Sequence, residues 1–352
     1  MPLLTRMVLA PLFIDVRRGA VQGLAELLAD RRISSSGRVA VVVGRGQGAT
    51  IVDRLGPLLD NCEVFTAEAG SVGAATDLVA QLRKANYDAV VGIGGGRTLD
   101  VTKWAASRLG LPMVAVATNL AHDGIASPVS SLDNEGGKGS YGVSPPIAVV
   151  IDLDFVRDSP PRMVRSGIGD VVSNLSAIAD WELAHEQLGE PVDGLAVTLA
   201  RTAAEALLHR TDGVGDDEFL IALAEGLVLS GMAMVAAGTS LPCSGGDHEI
   251  LHAVDALFPG TGNHGELAGI GAMFCFFLRD DTHRLGQVDA CLQRHGLPRL
   301  PADVGLTEEQ FVRAVRHAPG TRPGRFTILE HLDLSEAQVT EKVRGYVDAF
   351  GR

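Results

Sequence analysis

The chain has 352 residues, 46% of them hydrophobic, enough for about two domains and a sizeable core, which excludes disordered and fibrous classes. Thirty lysines and arginines against 43 aspartates and glutamates leave a net charge of −13. A balance that acidic argues against a general binder of nucleic-acid backbone, because no basic stripe is available to displace counterions; one local basic pocket for a small phosphate stays open.

In chain order, residues 1–20 mix a short apolar run with charged and turn-forming residues and do not read as a signal peptide. Arg38 to Val43 (RVAVVV) predicts a strand closed by a glycine turn, Thr50 to Leu59 a helix, Glu63 to Thr66 a short strand and Ala74 to Ala85 another helix. Asp88 to Ile93 (DAVVGI) predicts a strand running into three glycines and a helix over Thr98 to Leu109. Further strands fall at Pro112 to Ala117 and Ile147 to Ile151, and Leu132 to Gly142 reads as a hairpin or flexible loop. Strands that are continuous apolar runs separated by helices imply a parallel sheet covered on both faces.

After the double proline Pro160-Pro161 the pattern turns almost purely helical: Asp170 to Glu186, Val192 to His209, Asp217 to Ala236, Glu249 to Leu257, Glu266 to Arg279 and further helices to the end. The expected organisation is an α/β domain over 1–160 and an all-α domain over 161–352, with the crevice between such domains as the expected site. The most apolar stretch, Leu220 to Leu241, carries Glu225 and several glycines and reads as a buried helix rather than a membrane span. Cys62, Cys243, Cys275 and Cys291 form no C-x-x-C pair, as expected of a reduced cytoplasmic protein.

Two glycine clusters follow predicted strands. Gly44-Arg45-Gly46-Gln47-Gly48 is G-x-G-x-G, short of the full dinucleotide fingerprint, and reads equally well as a plain strand-to-helix turn. Gly94-Gly95-Gly96-Arg97-Thr98-Leu99-Asp100 is more specific, because three glycines separate an apolar strand from a helix. Without Cβ atoms the backbone can press against a phosphate, while N–H groups at the helix start attract the anion. A pyrophosphate is the natural guest. No P-loop pattern occurs, so a nucleoside triphosphatase loses its main support.

His248-Glu249-Ile250-Leu251-His252 is literally H-E-x-x-H, the zinc-protease pattern. No glycine and histidine follow at the extended metalloprotease spacing, and a protease has no need of the α/β domain before it. A second constellation competes with it. Asp170 follows Gly167-Ile168-Gly169 at an expected helix start, His248 follows Gly245-Gly246 at another, and His264 opens a third. One carboxylate and two imidazoles can share a divalent cation and leave positions open for substrate oxygens. Taken singly, each histidine is better explained as a helix cap or a surface residue.

Five segments then resemble one family: GGGRTLDVTK (Gly94 to Lys103), HDGIASPVSS (His122 to Ser131), GIGDVVSNLSAIADWELA (Gly167 to Ala184), SGGDHEILHAVD (Ser244 to Asp255) and NHGELAGIG (Asn263 to Gly271). In this order, and over nearly the whole chain, they are similar to the sn-glycerol-1-phosphate dehydrogenase group of the iron-containing alcohol dehydrogenase and dehydroquinate synthase superfamily. The resemblance implies a dehydroquinate synthase-like fold, with a Rossmann-like α/β nucleotide-binding domain and an all-α metal-binding domain. It implies a metal, usually zinc, on Asp170, His248 and His264, with His252 near the substrate, so that the H-E-x-x-H match becomes incidental. Such a ligand set also accommodates iron, nickel or manganese. Asp123 falls where relatives contact substrate hydroxyls, and Thr118 and Asn119 where they touch the cofactor. Gly94, Gly95, Gly96, Thr98, Asp100, Gly44 and Arg45 complete the expected cofactor set. Asn119-Leu120-Ala121 departs from the small residues that many relatives carry before the HDG segment.

An acidic residue after the first nucleotide-binding strand would hold the ribose 2′-hydroxyl and repel a 2′-phosphate. Gly44-Arg45 stands there instead, so NADP is expected to serve at least as well as NAD. The implied reaction interconverts dihydroxyacetone phosphate and sn-glycerol 1-phosphate by hydride transfer, on a small phosphorylated substrate, in a homo-oligomer that binds no nucleic acid and spans no membrane. Lys103, Arg162 and Arg165 are candidates for the substrate phosphate. Open alternatives are a dehydrogenase of another polyol or amino-alcohol, a sugar-phosphate cyclase and a non-catalytic nucleotide-binding protein.

Overall fold

In the computed structural model, which describes residues 9–59 and 62–351, the chain divides into two compact units, Met1–Pro160 and Pro161–Arg352. The reading of residues 1–20 as no signal peptide falls partly on residues 1–8, outside those described.

The first unit is built on strands β1 (Phe13–Arg17), β2 (Val39–Gly44), β3 (Glu63–Ala67), β4 (Ala89–Gly94), β5 (Met113–Ala117), β6 (Val129–Asn134), β7 (Gly137–Gly142) and β8 (Ala148–Asp152). Between them lie helices α1 (Leu24–Leu28), α2 (Gly48–Leu55), α3 (Val72–Leu82) and α4 (Gly96–Leu109), and α5 (Leu153–Asp158) follows. Six strands form a parallel sheet in the order β1-β8-β5-β4-β2-β3. The inner strands are valine- and alanine-rich because both faces are covered. Val39, Val41, Val43, Val91 and Ile93 pack on one side with Leu24, Ile51 and Leu55, while Ala40, Val42, Val90 and Val149 are fully buried on the other. The order reverses between β2 and β4, which places the carboxyl ends of those strands, Gly44 and Gly94, at the topological switch point where open α/β sheets take ligands.

Two details depart from the sequence reading. The strand β1 was not predicted: its residues are half-buried or exposed at the sheet edge, so it lacks the apolar run that marks the inner strands. The helix expected over Thr50 to Leu59 ends at Leu55, where Gly56 takes φ +38° and the chain tightens into a 3-10 turn. Of the two readings of Leu132 to Gly142, the hairpin holds: the segment belongs to an antiparallel pair, β6 with β7.

The second unit is helical: α6 (Pro161–Leu188), α7 (Gly194–Leu208), α8 (Asp217–Ala237), α9 (Gly246–Leu257), α10 (His264–Leu278), α11 (Thr282–Arg294), α12 (Glu308–His317), α13 (Ile328–Leu332) and α14 (Glu336–Phe350). The apolar stretch read as a core helix is α8, the one described helix long and apolar enough to cross a membrane; it packs on α6 and α7 inside the unit. Among the described residues no cysteine forms a disulfide, and three of the four are buried.

Asp170 does not start a helix. It is the tenth residue of the 28-residue α6, and the glycines that suggested a start are buried within it. Their purpose is close packing, since a Cβ at Gly169 would overlap the carbonyl oxygen of Gly265 on α10, and one at Gly265 would overlap that of Ser166 on α6. The two backbones are stitched there by Gly265 N–H donating to Ser166 Oγ at 3.0 Å. Gly265→Ala should therefore lower stability by about 3 kcal/mol or more, because backbone cannot yield as a flexible side chain can. A shift in the urea midpoint checks this, and a wild-type midpoint would contradict the contact.

Candidate active site

In the second unit, α6, α9 and α10 each deliver one side chain to a single point. Asp170 Oδ1 lies 3.6 Å from His248 Nε2 and 3.3 Å from His264 Nε2, and the ligand atoms all fall within 4.8 Å of one another. Asp170 and His248 are buried, whereas the His264 side chain keeps 31% exposure, so the cluster opens on that side. Burial alone would pull the His248 imidazolium down, but Asp247 and Asp170 outweigh it and raise its pKa to about 10. Burial likewise opposes ionisation of Asp170, yet the two histidines hold its carboxyl well below the usual range. The pocket is therefore organised to stabilise positive charge beside a carboxylate. A carboxylate and two imidazoles that converge in this way fit a divalent cation.

The surrounding residues fix this geometry. His248 Nδ1 is hydrogen-bonded to the buried carboxylate of Asp247, which sets the tautomer so that Nε2 faces the cluster. The start of α9 is pinned by Asp180, whose Oδ2 accepts from Gly246 N–H at 2.9 Å and whose Oδ1 accepts from Ile328 N–H at 2.6 Å. On α10, Gly271 sits against the backbone of Asp247, where a Cβ would come within 2.5 Å of the carbonyl oxygen. Glu266 caps α10 through Asn263 N–H and takes a bidentate pair from Arg162 at 2.7 Å.

The H-E-x-x-H histidines separate in role. His248 joins Asp170 and His264, while the ring of His252 lies 6.3 Å from that of His248 and outside the ligand group. Glu249 turns away toward Thr327 and Glu330. The Thr327 hydroxyl lies 2.6 Å from Glu330 Oε2 and 3.2 Å from Glu249 Oε2. Its single proton serves one of them, and a protonated Glu249 completes the other contact. Burial pushes the Glu249 carboxyl up to about 9, so it is neutral at pH 7 and offers no base to a metal-bound water as a protease would need.

In the first unit, the second glycine cluster forms the turn from β4 into α4. The helix begins at Gly96, two residues earlier than expected, with no side-chain cap on its first amides. Thr98 is tucked between the strand ends, so that a Cβ at Gly44 would come within 2.6 Å of its Oγ1 and one at Gly94 within 2.8 Å. Thr118 N–H donates to Gly94 O at 3.1 Å, and Asn119 Nδ2 occupies the space a Cβ on Gly95 would need. The imidazole of His122 fits between Gly96 and Gly124, its Nδ1 accepting from Gly124 N–H at 3.0 Å. Sequence reasoning gave His122 no role, although it opens the HDG segment. Asp123 starts the next short turn and is half-exposed. Arg45 is exposed at the end of β2 and pairs at 3.6 Å with Glu68, just beyond β3, which brings a carboxylate to the strand end where none was expected.

Of the expected phosphate partners, Lys103 is fully buried, pairs with Asp100 at 3.0 Å and donates to the carbonyls of Ser127 and Val129 at the start of β6. Arg162 pairs with Glu266 while its side chain stays 58% exposed, and Arg165 is among the charges felt by His295. A cation that the sequence reading missed is Arg322, whose Nη2 lies 2.7 Å from His252 Nε2. No motif announces it, since seventy residues separate the pair.

A model of the iron-containing alcohol dehydrogenase family matches residues 15–160. The chain is 37% identical over 273 residues, 76% of its length, to a protein of Archaeoglobus fulgidus named glycerol-1-phosphate dehydrogenase, NAD(P)+, of which it covers 78%. It is 36% identical over 340 residues to a Thermofilum pendens protein of the same name, with 95% and 96% of the two chains covered. The chain belongs to the glycerol-1-phosphate dehydrogenase family. Within the wider iron-containing alcohol dehydrogenases, its fold matches a probable glycerol dehydrogenase of Sinorhizobium meliloti with TM-score 0.75 at 20% identity, covering 98% and 99% of the chains. It also matches the Corynebacterium glutamicum iron-containing alcohol dehydrogenase with TM-score 0.76 at 17% identity, covering 97% of each.

For this family member, Asp247→Asn should weaken zinc binding roughly 10- to 100-fold while leaving the three ligands in place, as read by competition with a chromogenic chelator. Glu249→Gln tests the neutral carboxyl. Because burial raises the folded-state pKa of Glu249, its stabilising contribution is complete below its unfolded pKa and is lost as pH rises toward 9. The glutamine variant should match wild type near pH 4 and exceed it by about 1–3 kcal/mol at pH 8 in urea unfolding.

Proposed function

We propose that the chain is a metal-dependent NAD(P)H oxidoreductase that interconverts dihydroxyacetone phosphate and sn-glycerol 1-phosphate. The observation that carries this reading is the convergence of Asp170, His248 and His264 in a chain 36% identical, over 95% of its length, to a protein named for that activity. The glycine turn before α4, with its uncapped amides, supports a dinucleotide pyrophosphate there. When bound, the dinucleotide supplies the hydride and the cation supplies Lewis acidity toward the substrate oxygen.

The chain's own residues do the rest. Asp170, His248 and His264 hold the cation, zinc being the expected ion, and Asp247 fixes the tautomer of His248. Gly94, Gly95 and Gly96 give the cofactor phosphates close backbone approach, with Thr98, Thr118 and Asn119 shaping the turn, and the Lys103–Asp100 pair ties α4 to the start of β6. Asp123 orients a substrate hydroxyl. Because an arginine can only donate, Arg322 makes Nε2 of His252 an acceptor, so the ring proton sits on Nδ1. In that tautomer His252 offers Nδ1–H as a hydrogen-bond donor to the substrate oxygen, and the proton that completes the alcohol comes from water. Arg45 beside Glu68 supports use of both NAD and NADP. The working assembly is a homo-oligomer, and thiols that form no disulfide support a reducing, cytoplasmic setting.

Protein stripped of metal should oxidise neither NADPH nor NADH with dihydroxyacetone phosphate, and added zinc should restore both activities with sn-glycerol 1-phosphate as product. Absence of turnover with every divalent metal, while the nicotinamide still binds, would move the assignment to another alcohol or to a cyclase.

A further inference from the structure

The end of the 3-10 turn Ala318–Thr321 lies along α9, where the Thr321 hydroxyl contacts Glu249 O at 3.4 Å and Arg322 reaches His252. Three residues on, Arg325 turns its guanidinium to neutral oxygens: Ser244 O, Ser244 Oγ at 2.9 Å and Ser240 Oγ at 2.8 Å. Two guanidinium groups are thus gathered on one side of α9. Burial, followed by the charge of Arg325, lowers the pKa of Arg322, the mark of a cation held where solvent screens it poorly. A half-buried cationic spot of this kind favours an anion. Its place is informative as well. His252 stands one turn from His248 on the same helix, so Arg322 is two side chains out from the metal cluster. The phosphate of dihydroxyacetone phosphate is likewise only one carbon and one ester oxygen removed from the carbonyl carbon. A guanidinium carries five donors and serves several acceptors at once, so its bond to His252 does not exhaust it.

We infer that Arg322, backed by the charge of Arg325, forms the subsite for the substrate's phosphate dianion and sets the preference for phosphorylated over plain ketones. The inference rests on the activity proposed above, and its test separates the two. Arg322→Met and Arg322→Lys are made in the full, zinc-loaded chain and checked for wild-type unfolding midpoints. Each is assayed with dihydroxyacetone phosphate and with dihydroxyacetone, and titrated calorimetrically with inorganic phosphate.

The methionine variant should lower the kcat/KM preference for the phosphorylated ketone by about 30-fold or more, mainly through KM. It should also lose phosphate binding, and lysine should restore part of both. An unchanged preference, with or without a fall in kcat common to both ketones, would overturn the subsite and leave Arg322 a positioning residue for His252. Wild-type protein that binds phosphate through Arg322 but reduces no dihydroxyacetone phosphate would keep the anion subsite and remove the glycerol-phosphate reading. Turnover by the wild type, with phosphate bound equally well by the methionine variant, would do the reverse.

Discussion

The backbones of α6 and α10 meet at a distance that only glycine allows, and the metal-site geometry depends on that contact. Gly169 and Gly265 face each other with no room for a Cβ on either, and Gly271, further along α10, repeats the device against Asp247 on α9. One helix is therefore clamped to two others by main-chain contacts, which are far stiffer than side-chain packing. Asp170, one residue beyond Gly169, and His264, one residue before Gly265, are brought within hydrogen-bonding reach as a direct consequence. His248 completes the set because Asp180 ties down the start of α9.

Electrostatics within the helical unit follow the same economy. Asp247 and Asp170 together place two carboxylates against His248, which makes the cluster a sink for positive charge. Glu249, the next residue, is turned into a dry pocket and kept neutral. Neighbours in sequence thus do opposite work because a helix sends them to different faces. The cationic groups are segregated too: Arg162 pairs with Glu266 on α10, Arg322 stands against His252, and Arg325 against Ser240 and Ser244.

Much of this was legible in the sequence, for reasons that can be named. The valine runs of β2, β4, β5 and β8 announce strands buried on both faces, and three glycines between an apolar strand and a helix announce a turn that must be approached closely. The convergence of Asp170, His248 and His264 was anticipated, but its mechanism was not. The glycines before Asp170 read as a helix start because glycine normally interrupts helices, whereas here they are buried in the middle of one and serve its packing. Edge strand β1 was invisible because a half-exposed edge needs no apolar run. Lys103 looked available because its pairing with Asp100 is a property of burial, not of spacing. Arg322 could not be found at all, since its partner His252 is remote along the chain.

The most direct test is the X-ray absorption spectrum of the zinc-loaded chain. It should show one zinc per chain with a shell of nitrogen and oxygen atoms alone at roughly 2.0–2.1 Å, two of the ligands giving imidazole scattering. Sulfur in the first shell, or zinc retained with an unchanged spectrum after Asp170→Ala, would contradict the site assembled by α6, α9 and α10.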